Sequence, residues 1–321
     1  MNGRKIINNF IVIVIILIIM ILGYKYPYNL NFDQNQKGLA DNPSLNILFV
    51  GDIMLDRNVR NIIDKNGFDS FFSGVKNLIK DADIAVGNLE GTFTPYESIT
   101  ASLQSKELQF TFDPALAPSL ADLGFDILGL ANNHSMNFGS VGLEMTKRYI
   151  GSAGMFYYGD PNNKDEISTI ITKNGIKIGL IGFHEFTYVN FDKVFVEISS
   201  LRKEVDVLVV VPHWGIEYQK EPTEKMRQWA HQFIDLGADA VIGAHSHIIG
   251  QTETYKDKKI FYSLGNFAFD QYFSKETMKG LTVLMKIQKN SQKNDKSKII
   301  DLDYTLIPIK VDRVGVNFDF S

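Results

Sequence analysis

Five short polar clusters in this sequence group side chains that could bind a metal ion or move a proton. They are Asp52, Glu90, Asn133 with His134, His213, and His245 with His247. Taken singly, each has a plain structural explanation. Gly51-Asp52 suits a turn, Asn132 or Asn133 suits a helix cap, and His213 beside Trp214 suits a packed, hydrogen-bonded imidazole. His245-Ser246-His247 is harder to explain that way. In an extended segment residues i and i+2 share a face, and two imidazoles on one face need a common ligand or separate partners. Four of the six histidines fall in this series. Amide, carboxylate and imidazole donors without thiolate suit Zn, Mn, Fe or Ni. A bridging carboxylate would hold two such ions about 3.5–4 Å apart. Of the other histidines, His231 lies in a helical pattern with Trp229 and Phe233 and is expected to be structural or on the surface; His184 ends an apolar run and could approach the site, but a structural role is the favoured expectation.

Each cluster follows an apolar run. Residues 45–50 precede Asp52, 81–87 precede Glu90, 126–131 precede Asn133, 205–211 precede His213, and 239–243 precede His245. Continuous β-branched and aliphatic runs alternating with helical patterns, as at 114–123 and 223–236, predict an α/β protein with a sheet buried on both faces. In such sheets ligands gather beyond the carboxyl ends of the strands, so residues far apart in sequence can meet. Two further strands, 281–287 and 298–311, flank a polar lysine-rich loop and predict an antiparallel hairpin closing the sheet. Residues 92–111 lack a period and are expected to form a loop over the site.

The 321 residues are 45% hydrophobic and 22% charged, ordinary for a globular chain, and the net charge of -4 gives no electrostatic case for nucleic acid. There is no cysteine, which excludes disulfides, thiolate metal sites and a cysteine nucleophile.

Arg4 and Lys5 precede an apolar run at 10–22, which is followed by Gly23-Tyr24-Lys25-Tyr26-Pro27-Tyr28. The run is short for a membrane span of ~20 residues. Yet it lacks the small-residue cleavage pattern of a signal peptide, and the aromatics suit a membrane interface. Residues 1–26 are therefore expected to be an uncleaved transmembrane signal-anchor rather than a cleaved signal. The positive-inside rule sends the remainder outward, giving a single-pass protein of the cell membrane with an extracytoplasmic domain. Residues 27–44 are polar and contain two prolines, and they are expected to be a linker.

The blocks Phe49-Val50-Gly51-Asp52-Ile53-Met54, Val86-Gly87-Asn88-Leu89-Glu90, Leu130-Ala131-Asn132-Asn133-His134, Val211-Pro212-His213-Trp214-Gly215-Ile216-Glu217-Tyr218, Gly243-Ala244-His245-Ser246-His247 and Tyr262-Ser263-Leu264-Gly265-Asn266-Phe267 occur in this order. Together they resemble the CapA family of poly-γ-glutamate capsule synthesis, itself similar to calcineurin-like metallophosphoesterases. The resemblance implies a four-layer αββα sandwich over 45–315 and one or two divalent ions, with Mn, Zn or Fe expected. It implies that Asp52 and His247 serve the first ion, that Asn133, His213 and His245 serve the second, and that Glu90 stands near the bridging acid. His134 would face the leaving group as acid. Glu217 would orient a ligand, and Asn266 would donate to substrate. The expected partners are poly-γ-glutamate or a phosphate-containing substrate, and membrane-bound polyglutamate synthase subunits. Three departures are plain: Met54 stands where the phosphoesterase pattern has a histidine, Asn-Leu-Glu replaces Gly-Asp, and Asn137 stands where related chains often carry aspartate. The weakened first site leaves room for a non-catalytic partner of the export complex that binds polymer or synthase, and for a general secreted metallophosphatase.

Overall fold

The computed structural model describes residues 29–31, 43–101, 107–187, 190–290 and 299–319. The expected signal-anchor lies outside these residues. Among the described residues no helix is long and apolar enough to cross a membrane.

In chain order the strands are β1 (Asn29–Asn31), β2 (Ser44–Ile53), β3 (Ile84–Leu89), β4 (Thr92–Phe93), β5 (Thr111–Phe112), β6 (Ile127–Gly129), β7 (Phe156–Tyr158), β8 (Ser168–Lys173), β9 (Ile176–His184), β10 (Val207–His213), β11 (Ala240–Ile242), β12 (Thr252–Tyr255), β13 (Lys258–Phe261), β14 (Asn266–Ala268), β15 (Lys279–Asn290), β16 (Ile299–Val311) and β17 (Val316–Phe318). The helices are α1 (Arg57–Asn66), α2 (Phe68–Phe71), α3 (Lys76–Lys80), α4 (Leu116–Leu123), α5 (Gly139–Ser152), α6 (Phe191–Leu201) and α7 (Glu224–Asp235).

The strands form two large sheets. One runs β1-β8-β9-β10-β11-β13-β12, and the other runs β17-β16-β15-β2-β3-β6-β7 with β14 also on β2. Period-2 alternation explains why the sheets stack. Leu45, Ile47 and Phe49 of β2 face the layer between the sheets, where they meet Ile178, Leu180, Val207 and Val209 of the other sheet. Leu48 and Val50 point the other way, into a core with Val59, Ile62, Leu120 and Leu143 from α1, α4 and α5. On the far side, Ile181 and Phe183 of β9 pack with Val194 and Ile198 of α6 and with Ala230 and Phe233 of α7. Helices therefore cover both outer faces. Thr223 caps α7 by accepting from Met226 N at 3.2 Å, and Met226, Ala230, Phe233 and Ile234 make its buried stripe.

The central strands run parallel: β2, β3, β6 and β7 in one sheet, and β9, β10, β11 and β13 in the other. Parallel strands put their carboxyl ends on one side, and that is where the polar clusters lie. The expected hairpin of β15 and β16 is antiparallel, pairing Lys279 with Lys310 through to Asn290 with Ile299. Three residues of the segment expected to be a linker form β1, parallel to β8. The segment expected to be a loop over the site is in part a two-stranded parallel ribbon, β4 with β5.

Candidate metal centre

Asp52 is fixed by a close crossing of two chain segments. A Cβ on Gly51 would lie 1.9 Å from Gly265 O, so only glycine lets the 264–266 segment pass. At this crossing Asp52 N donates to Gly265 O at 3.0 Å. The carboxylate is fully buried. Its Oδ1 accepts from Asn88 Nδ2 at 2.8 Å, its Oδ2 accepts from His245 N at 3.2 Å, and His247 Nδ1 lies 3.4 Å from Oδ2.

Glu90 sits one residue past β3, anchored by its N–H to Ile53 O at 2.9 Å. Its side chain is fully buried, yet neither carboxylate oxygen has a hydrogen-bond partner. The nearest cationic candidates are His134 Nε2 at 3.7 Å and His247 Nε2 at 3.8 Å. Burial, with the charges of Asp52 and Glu217, pushes the Glu90 carboxyl well above the usual range. Burial alone would lower His247, but Glu90 and Asp52 more than offset it and push the ring up to about 9.

The second half of the site comes from the other sheet and the turn after β6. His213 Nε2 lies 2.7 Å from Asn133 Oδ1, and His245 Nδ1 lies 3.0 Å from the same Nε2. Burial, with the neighbouring imidazoles, holds His213 well below the ordinary histidine value and takes His245 to about 3. Both rings are therefore neutral near pH 7, the state a metal requires. The two imidazoles of His245-Ser246-His247 do converge, with ring centroids 5.9 Å apart. Strand alternation is not the reason. His245 has φ 99° and His247 φ 58°, both in the left-handed region that non-glycine residues rarely adopt. Such strain collects at functional sites.

His134 lies under Phe110, with ring centroids 4.4 Å apart. Its Nδ1 is 3.1 Å from Asn137 Oδ1, which also accepts from Phe110 N at 2.7 Å. Burial is the main cause that takes His134 down to about 4. Glu217 is exposed, and a carboxylate oxygen of it lies within 4.8 Å of ring nitrogens of His245 and His247, themselves within that distance of each other; Asp52, Glu90 and His213 form a second such group. Asn266, expected to donate to substrate, turns inward. It is fully buried, its Oδ1 is 3.0 Å from His247 Nδ1, and its Nδ2 donates to Gln271 Oε1 and Thr277 O. Its amide orients His247 and has no donor left over. Met54 is buried too, and its sulfur accepts from Asp56 N at 3.1 Å.

Sequence reasoning misses the buried amides that hold this arrangement. Asn132 Nδ2 donates to Asn88 Oδ1 at 3.1 Å and to Leu89 O at 2.9 Å, and its Oδ1 accepts from His134 N. Asn88 Nδ2, besides serving Asp52, lies 3.2 Å from His213 Nδ1. Asn132 is next to Asn133 and Asn88 lies two residues before Glu90, and that proximity is the available signal.

The donor set fits a divalent cation. An unpartnered buried carboxylate faces a second carboxylate, the neutral ring of His134 and the ring of His247, which these carboxylates hold protonated; a cation in place of that proton would offset the burial of both acids.

Residues 46–271 match the family model of the bacterial capsule synthesis protein PGA_cap. The chain belongs to this family. The candidate site residues, from Asp52 to Asn266, fall inside the matched stretch. The chain is 31% identical over 289 residues to the PGA biosynthesis protein CapA of Bacillus subtilis (strain 168), covering 84% of this chain and 74% of that protein. It is 30% identical over 251 residues to the capsule biosynthesis protein CapA of Bacillus anthracis, covering 72% of this chain and 61% of that one. A probable polyglutamine synthesis accessory protein of Mycobacterium tuberculosis is 24% identical over 215 residues, 59% of this chain and 56% of its own length. Among solved structures, a hypothetical protein from Thermus thermophilus aligns with 14% identity and a TM-score of 0.48, over 82% of this chain and 99% of that one.

Proposed function

We propose that this PGA_cap-family protein acts in poly-γ-glutamate capsule biosynthesis or export, as a membrane-anchored, extracytoplasmic, metal-dependent hydrolase of the phosphoesterase type. The observation that carries the metal part of the reading is Glu90: a fully buried carboxylate with no hydrogen bond, between His134 and His247. The capsule part rests on the relatives named above, and the anchor rests on residues 4–28 of the sequence.

Asp52 and His247 would hold one divalent ion, Asn133, His213 and His245 would hold a second, and Glu90, grouped with both Asp52 and His213, would stand between them. Bound there, the metal would polarise an oxyanion and lower the pKa of a water. Mn, Zn or Fe suits these donors. The chain's own groups do the rest. Asn88 and Asn266 fix the rotamers of Asp52 and His247 through the bonds given above. Asn137 Oδ1 has its orientation set by Phe110 N–H, so it accepts from His134 Nδ1–H, and the Nε2 lone pair of His134 is the atom free to take up and hand on a proton. Glu217 stands at the exposed edge, beside His245 and His247, where it would orient an incoming group. A phosphate ester, an acyl phosphate or a γ-glutamyl polymer suits such a site.

Met54 favours a second reading. Its thioether is spent on Asp56 N, so the first strand brings no imidazole to the site. With a weaker first ion, the domain would serve as a non-catalytic partner that binds polymer or synthase. One comparison separates the two. Hydrolysis of a generic phosphomonoester or phosphodiester that disappears in His213→Ala supports the hydrolase. No turnover, together with co-purification of a synthase subunit from membranes, supports the partner. Deletion of the gene with surface polyglutamate unchanged would leave a general secreted metallophosphatase.

A further inference from the structure

His184 is 5% exposed, and its Nε2 is buried without a hydrogen-bond partner. Its other nitrogen is accounted for. Nδ1 lies 2.7 Å from Pro161 O. A carbonyl oxygen can only accept, so Nδ1 carries the proton and Nε2 is left with a lone pair. The residue is also held from both sides by Asn163, whose Oδ1 accepts from His184 N and whose Nδ2 donates to His184 O, each at 2.9 Å. A histidine that is merely a satisfied core residue has partners for both nitrogens. An imidazole backed by a backbone carbonyl, with the opposite nitrogen bare, is the arrangement in which proteins present histidine to a metal.

The position agrees. His184 pairs in register with His213 across β9 and β10, two residues after the Gly182–Val211 pair. Parallel partners point to the same face, so both imidazoles stand on the side toward the other sheet. Gly182 shows how close that sheet is. A Cβ there would come within 2.8 Å of Ala131 Cβ and 2.7 Å of Gly159 Cα. His184 therefore emerges beside the turn that carries Asn132 and Asn133. Its ring centroid is 6.1 Å from that of His213 and 5.6 Å from that of Phe186, which in turn lies 4.3 Å from His245.

We propose that His184 is a further imidazole of the cation site, its Nε2 lone pair serving the ion held by Asn133, His213 and His245. The proposal rests on the metal reading above and adds to it a donor from β9. His184→Asn is the informative variant. Its amide can still donate to Pro161 O, but nothing remains at the Nε2 position.

The probe is Mn2+ on the full chain in detergent. EPR of the free ion gives affinity, and pulsed EPR of the bound ion counts histidine nitrogens. His184→Asn is expected to lose tenfold or more in affinity for one ion and to show one imidazole coupling fewer. Its thermal midpoint in EDTA should match wild type. The wild-type count needs no variant: three imidazoles on the ion held by Asn133 support the proposal, whereas His213 and His245 alone overturn it. Unchanged Mn2+ affinity in His184→Asn overturns it as well, and leaves the metal reading standing. A wild-type protein that binds no Mn2+ takes both down.

Discussion

Asn137 Oδ1 stands 3.1 Å from His134 Nδ1 and 2.7 Å from Phe110 N. One amide oxygen thus fixes the imidazole and ties it to the segment before β5. Asn137→Ala should lower stability by about 1–3 kcal/mol, since it leaves a buried N–H unpaired. It should also cut turnover by about 10–100-fold, as loss of an orienting partner does. Asn137→Asp keeps the acceptor and should recover most of both. Urea melts and steady-state rates of the three proteins check this, and equal loss in the Ala and Asp variants would refute the orienting role.

Glu90→Gln should act in opposite directions with and without metal. In EDTA the variant removes a buried, unpartnered carboxylate and should be more stable than wild type by about 1–3 kcal/mol. With added Mn or Zn the order should reverse. Wild type gains stability in proportion to the logarithm of free metal, and the variant gains little. A variant stabilised by metal as much as wild type would remove Glu90 from the site.

Gly51→Ala should be among the most damaging small substitutions in the chain. The added methyl would meet Gly265 O, a backbone atom that cannot swing aside, at 1.9 Å. Overpacking of this kind costs about 3 kcal/mol or more when backbone must move, and here it also displaces Asp52. A urea midpoint unchanged from wild type would mean that the crossing is looser than described.

Asp56 supplies a pH-dependent prediction. It is fully buried, with Oδ1 2.9 Å from Arg60 Nε, and Oδ2 accepting from Thr100 Oγ1 at 2.7 Å and from Thr111 N at 3.0 Å. Burial would raise its pKa, but the bonds from Ser98, Thr111, Thr100 and Arg60 outweigh this and hold it below the ordinary aspartate value. A depressed folded pKa gives stability that is present above the unfolded value, about 3.9, and lost as pH falls through the folded one. Asp56→Asn should therefore cost about 1–3 kcal/mol at pH 7, and the gap to wild type should narrow below about pH 4. A gap that widens with acid would reverse the assignment.

Much of this site is legible in the sequence, for a definite reason. Strand-end donors such as Asp52, Glu90 and His213 follow apolar runs that only a buried strand explains. Long-range identity is less legible. That Asn266 turns inward to His247 depends on β14 lying on β2, and no local pattern encodes that pairing. The convergence of His245 and His247 comes from left-handed backbone, which period-2 reasoning cannot foresee. Strand β8 escapes the apolar-run pattern, although Asn174-Gly175, with φ 52° and 70°, is the turn residue pair that favours a tight hairpin into β9. His184 reads as structural because sequence shows a residue type, not which of its two nitrogens is already engaged.

Asp52, Glu90 and Asn133 hang from one sheet, while His213, His245 and His247 hang from the other. The cradle for a cation thus exists only once the two sheets have come together. Donors scattered so widely along the sequence offer an extended chain no local nucleus around which to wrap an ion. A metal would thus be loaded after folding, and once bound would act as a late rivet across one rim of the sandwich.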